Sequence, residues 1–173
     1  MPQLLLLRHA KSSWDDPKLP DHSRPLNARG KHAAAQVGRV MREMGILPDR
    51  VLVSSARRTV QTLEQLEPWD APPRVVVMDG LYLASARAIL DLIQDVPDET
   101  ERLLVVGHNP GLHDLALLLA DKDEGIEEQK LHEGFPTSAL AWFNIPCSWR
   151  ELSESKAALT RFMAPTDTAE QGL

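Results

Sequence analysis

Leu4-Leu5-Leu6-Leu7-Arg8-His9 is the stretch on which the fold turns: four apolar residues without polar alternation, ended by a guanidinium and an imidazole. A short continuous apolar run suggests a strand buried on both faces, as in a parallel sheet covered by helices. Two further runs repeat the pattern. Leu103-Leu104-Val105-Val106 ends in Gly107-His108-Asn109-Pro110, and Val51-Leu52-Val53 ends in Ser54-Ser55-Ala56-Arg57-Arg58. Ligands of open α/β sheets bind beyond the carboxyl ends of the strands, so this pattern directs His9, Arg58 and His108 into one crevice.

Helices are expected between the runs. Ala33, Val37, Val40, Met41 and Met44 recur at helical spacing after Asn27-Ala28-Arg29-Gly30, with Gly45 placed as a C-terminal cap. The spacing also predicts helices over 57–66, over 85–94, and from Gly111 onward with Leu115, Leu118 and Leu119 facing inward. Further strands are expected over 74–78, 138–145 and 158–163. Residues 67–73 read as a Pro-rich connection, 121–128 as an acidic solvated loop and 147–155 as the loop between the last two strands. The β-α-β-α-β-α order predicts an α/β three-layer sandwich, its central sheet mainly parallel and flanked by helices. A single domain is expected over 1–164, with 165–173 as a flexible tail.

Composition narrows the partners. The 173 residues suffice for one core, and 43% hydrophobic with 25% charged content is ordinary for a globular protein. No apolar run approaches the ~18 residues needed to cross a bilayer. The start Met1-Pro2-Gln3 followed by four leucines lacks the parts of a secretory signal, so a cytoplasmic location without membrane contact is expected. Cys147 is the only cysteine, which rules out an intramolecular disulfide or a thiolate metal cluster within the chain. A net charge of −6 argues against a nucleic-acid surface. It leaves room for one positive pocket around Arg8, Lys11 and Arg58 in which anion capture would be focused.

Two histidines and two arginines, without an HExxH helix or an aspartate-rich loop, point away from metal catalysis; neither metal nor cofactor is expected. The natural guest is a tetrahedral phosphoryl group, or a phosphate or sulfate anion in its place. Guanidinium forks bind two of its oxygens, and an imidazole can attack phosphorus. For that attack His9 must be neutral. Adjacent arginine charges would lower its pKa, and a backbone carbonyl accepting from Nδ1–H would leave Nε2 free.

Arg8-His9-Ala10-Lys11-Ser12, Ser54-x-x-x-Arg58-x-x-Gln61-Thr62 and Gly107-His108-Asn109-Pro110-Gly111 together resemble the three motifs of the histidine phosphatase (phosphoglycerate-mutase-like) superfamily. The stretch Asp21-His22-Ser23-Arg24-Pro25-Leu26-Asn27-x-Arg29-Gly30, the turn Phe135-Pro136-Thr137-Ser138-Ala139 and the compact length are similar to its SixA phosphohistidine phosphatase branch. The resemblance implies that His9 is a nucleophile forming a covalent phosphohistidine, that Arg8, Arg58 and His108 hold the phosphoryl oxygens, and that Ser12 adds a hydrogen bond. It selects Arg58 over Arg57. Lys11 stands where it could meet an incoming phosphoprotein.

Two positions depart from the larger relatives. Their general acid lies in a Leu-x-Glu turn after the third strand, whereas this chain reads Leu81-Tyr82-Leu83, with Asp79 nearby but out of step. A missing acid slows alkyl phosphate hydrolysis by about 10²–10⁴, while phosphohistidine leaves as neutral imidazole and needs such help less. Asp15 stands where mutase relatives carry a phosphate-binding Asn. Both departures favour a phosphohistidine-bearing phosphotransfer protein as substrate. The alternatives are a phosphatase of small phosphorylated metabolites and a non-catalytic phosphate-binding module. Trp14 follows the His9 loop and reads either as a lip over the pocket or as loop cover. His22, His32, His113 and His132 read as surface or helix-face residues.

Overall fold

The computed structural model describes residues 1–122 and 125–165. Six strands form one sheet: β1 (Gln3–Arg8), β2 (Arg50–Ser54), β3 (Arg74–Met78), β4 (Arg102–Gly107), β5 (Leu140–Asn144) and β6 (Ala158–Met163). Their spatial order is β3-β2-β4-β1-β5-β6. The first four run parallel, β5 is antiparallel to β1, and β6 is antiparallel to β5. Among the described residues, five helices cover the sheet: α1 (Ala28–Met44), α2 (Arg57–Gln65), α3 (Ala86–Gln94), α4 (Gly111–Leu119) and α5 (Ile126–Glu133). This is the three-layer, mainly parallel α/β sandwich expected from the sequence.

The leucine run is divided between two cores. Leu4 and Leu6 pack with Ile89, Ile93, Leu115 and Leu131 beneath α3, α4 and α5. Leu5 and Leu7 pack on the opposite face with Val37, Met41 and Leu63 of α1 and α2. All four are fully buried, which is why no polar residue alternates among them. Strand β3 differs. It is the sheet edge, and Val75 and Val77 are exposed on one face while Val76 and Met78 pack inward on the other. Its unbroken apolar run therefore overstated its burial.

Helix α1 starts at an N-cap, Asn27, whose side chain accepts from the Gly30 amide at 2.7 Å, and ends at Gly45 with φ +69. Its buried face uses Ala34, Val37, Val40 and Met41, whereas Ala33 lies at the margin.

One expectation is corrected. The acidic stretch at 121–128 is not loop throughout, because Glu127 and Glu128 form the first turn of α5, where carboxylates suit the positive end of a helix. Only Leu131 of α5 is buried, so the segment gave little periodic signal. The tail expected at 165–173 lies, apart from Pro165, outside the described residues. Among the described residues no helix is long and apolar enough to cross a membrane.

Candidate active site

Strand β4 lies between β1 and β2, so three carboxyl ends meet side by side. Beyond them stand His9, Arg58 and His108, which are 7%, 3% and 2% exposed. The His9 and His108 rings are 5.3 Å apart between centroids.

His9 is held through its backbone and its ring. Its amide donates to Gly107 O at 3.1 Å, its carbonyl accepts from Ser138 N at 3.2 Å, and the next amide, Ala10, donates to Thr62 Oγ1 at 2.9 Å. Its Nδ1 lies 2.7 Å from Ala10 O. A carbonyl can only accept, so Nδ1 carries the hydrogen and Nε2 keeps its lone pair. The pKa of His9 is lowered to about 4, first by burial and then by the charges of Arg58, Arg8 and Arg24, against an opposing contribution from the Ala10 carbonyl. Burial outweighs the arginines, which the sequence reading took as the cause.

His108 contacts Ser54 Oγ through Nε2 at 2.7 Å and faces Arg58 Nη2 through Nδ1 at 3.4 Å. A guanidinium only donates, so Nδ1 presents its lone pair and Nε2–H donates to Ser54. Burial, then Arg58 and His9, lower its pKa to about 3.

The arginines supply the remaining donors. Arg8 Nη1 donates to Phe135 O at 3.1 Å. Arg58 donates twice to Asp21, from Nη1 to its carbonyl at 2.8 Å and from Nη2 to Oδ2 at 3.0 Å. The Nε atoms of Arg8 and Arg58 are buried and have no partner among the described residues. A buried guanidinium N–H without an acceptor is costly, and an anion between the two would satisfy both.

Ser12 and Lys11 behave differently. Ser12 Oγ accepts from Arg24 Nη1 at 2.6 Å, while Lys11 is exposed on the loop after His9. Asp15 and Asp79 are exposed, and Arg57 projects into solvent one residue before buried Arg58. The Trp14 ring stacks on Arg24, whose guanidinium carbon lies 3.6 Å from the ring centre.

The sequence reading missed a polar layer behind these residues. Asp21 accepts from Arg24 Nη2 at 3.0 Å and also from the Tyr82 hydroxyl. The Tyr82 hydrogen bond and the two arginines hold its carboxyl far below the usual carboxylate range, while the same bond raises the Tyr82 pKa. The Tyr82 ring stands edge-on to His108 and to His22, at 5.5 and 4.8 Å. Two histidines read as surface groups also have structural partners: His22 Nε2 lies 2.9 Å from Ser55 Oγ, and His113 Nε2 lies 2.7 Å from Leu131 O. Beside Arg8 opens a groove of about 620 Å³, lined by Asn109, Lys130, Glu133, Phe135 and Phe162 among others.

Comparison with known proteins agrees with this geometry. Residues 4–82 match the histidine phosphatase superfamily (branch 1). A solved structure from Agrobacterium tumefaciens, described as a candidate SixA phosphohistidine phosphatase, is 30% identical and superposes with a TM-score of 0.77 over 95% of this chain and 99% of that one. The chain belongs to the histidine phosphatase superfamily, in its SixA-like branch. A candidate SixA from Nakamurella multipartitia is 29% identical, with a TM-score of 0.83 over 95% of this chain and 96% of that one. The uncharacterised Mycobacterium tuberculosis protein Rv1276c is 37% identical over 162 residues, 92% of this chain and 99% of the relative. Membership of this superfamily supports phosphatase chemistry for the chain.

Proposed function

We propose that this histidine phosphatase hydrolyses phosphohistidine on a phosphotransfer protein, with His9 as nucleophile and without a metal. The carrying observation is the fixed tautomer of His9: with Nδ1–H on Ala10 O, the lone pair of Nε2 is available among Arg8, Arg58 and His108. The phosphoryl group would lie on the free Nε–H groups of Arg8 and Arg58. These two cations supply the charge stabilisation. His108 would turn Nδ1–H to a third oxygen, with Ser54 Oγ then donating to Nε2.

In the first step Nε2 of His9 forms a bond to phosphorus as the P–N bond of the substrate breaks. The substrate imidazole, protonated beforehand on its other nitrogen, departs neutral with the bonding pair. In the second step water adds to phosphorus, the P–Nε2 bond breaks with its pair returning to His9, and the water proton leaves with inorganic phosphate. Leu83 at the acid position of larger relatives suits this substrate, because a neutral imidazole leaves without an enzyme acid.

A second reading, a small-metabolite phosphatase, draws on the groove beside Arg8, whose 620 Å³ could take a leaving group. The test is release of phosphate, with EDTA present, from a phosphohistidine-bearing phosphotransfer domain and from sugar phosphates, using wild type and His9→Ala. The expected result is His9-dependent loss of phosphohistidine alone. Turnover of sugar phosphates instead moves the protein to the second reading, and full activity of His9→Ala overturns the mechanism.

A further inference from the structure

Two large apolar side chains stand exposed beside the site: Trp14 is 75% exposed and Leu83 is 56% exposed. Trp14 is nevertheless fixed, because one face of its indole rests on Arg24, itself buried and bonded to Ser12 Oγ and Asp21 Oδ1. Leu83 follows Tyr82, whose hydroxyl donates to the other oxygen of the same carboxylate. The two apolar groups thus sit at opposite ends of one polar bridge, Arg24–Asp21–Tyr82, and the middle of that bridge holds Arg58.

Leu83 is also strained. Its φ is +50, in the left-handed region where a branched side chain is unfavourable and glycine is at ease. An exposed leucine in that conformation runs against stability, and such outliers cluster at functional sites. The other exposed large apolar residues among those described are Met1, Val75, Val77 and Ile126, at the chain start, on the edge strand and at the start of α5.

We propose that Trp14 and Leu83 form a docking rim for a folded protein substrate, contacting apolar side chains around its phosphohistidine. The proposal rests on the phosphohistidine reading above and names the surface through which that substrate is chosen. A small phosphorylated molecule would place its phosphoryl group among buried residues and draw nothing from the rim. A phosphorylated side chain on a folded surface brings its neighbours against it. The buried arginines bind the phosphoryl group itself, and the rim adds apolar contact with the surface around it, for which a fixed, exposed tryptophan is well suited.

The test compares steady-state kinetics on a phosphohistidine-bearing phosphotransfer domain and on phosphoramidate, which has a P–N bond but no surrounding surface. Wild type, Trp14→Ala, Leu83→Gly and the distant control Ile126→Ala are measured. Both rim variants should raise KM for the phosphoprotein by about tenfold or more, with kcat and phosphoramidate turnover unchanged, and Leu83→Gly should also raise Tm. An unchanged phosphoprotein KM in both rim variants overturns the rim. Equal losses on the two substrates overturn it too, since the residues then act on the cradle itself. If wild type leaves the phosphoprotein intact, the parent reading fails and the rim falls with it; if wild type and both variants clear it equally, the rim alone fails.

Discussion

Asp21 grips Arg58 from two sides, its carbonyl accepting from Nη1 at 2.8 Å and its carboxylate from Nη2 at 3.0 Å. Each terminal nitrogen gives one of its two N–H groups to Asp21, while Nε–H is buried without a partner and stands as a donor for a phosphoryl oxygen. The aspartate thus aims the cation while neutralising part of its charge, leaving Arg8, which rests on a carbonyl, as the less compensated of the pair.

Replacing Asp21 should therefore damage catalysis more than stability. Asp21→Ala is expected to lower kcat/KM by about 10- to 100-fold, as for a reacting group displaced by roughly an ångström. The stability loss should be about 1 kcal/mol, because the side chain of Asp21 is 44% exposed and water screens the pair. Phosphatase kinetics with a parallel urea titration separate the two effects.

Acidification should destabilise the protein in two windows. His9 and His108 have folded pKa values of about 4 and about 3 against 6.5 in the unfolded chain. The unfolded state then binds more protons below pH 6.5, and stability, complete above that value, falls as the pH drops toward 4 and 3. The loss should be on the order of 5 kcal/mol or more for the two rings together. Asp21 has a depressed pKa, so its contribution is present above about pH 4 and disappears as the pH falls further. Urea midpoints at stepped pH measure both windows. A histidine NMR titration should find no protonation of the His9 ring between pH 5 and 8.

Gly30 and Gly38 provide a matched pair. A Cβ on Gly30 would overlap the carbonyl oxygen of Lys11 and lie 2.9 Å from its nitrogen, whereas on Gly38 it would lie 2.6 Å from Leu66 O. Both positions meet backbone, so Gly30→Ala and Gly38→Ala should each cost about 1–3 kcal/mol in thermal unfolding. Only Gly30→Ala should also reduce kcat/KM, since Lys11 belongs to the loop that leads out of His9.

The parts of the site legible in the sequence were those written locally. His9, Arg58 and His108 each follow an apolar run whose strand identity is plain, and the order of elements places those strand ends together. Asp21 and Tyr82 carry no such mark: their bond joins positions 61 residues apart, one opening a short 3₁₀ turn and the other just beyond a second such turn, neither with a periodic pattern. Ser54 opens the second motif in the sequence, but its bond to His108 depends on β2 and β4 being neighbours. Helix α5 escaped because it rests on one buried leucine, with His113 pinning it through a backbone carbonyl.

The place of β1 in the sheet bears on how the protein is made. Leu4 to Leu7 leave the ribosome before either of the strands that will flank them, since β1 ends up inside the sheet, between β4 and β5. During synthesis four adjoining leucines wait without a neighbour until residues 102–107 emerge, and the second flank closes only with residues 140–144. An unpaired apolar strand on a growing chain is prone to aggregate and invites a chaperone's grip. Because the amide of Ser138 also fastens the carbonyls of Arg8 and His9, the nascent chain acquires its nucleophile geometry only once Ser138 has emerged, about 130 residues after His9 itself.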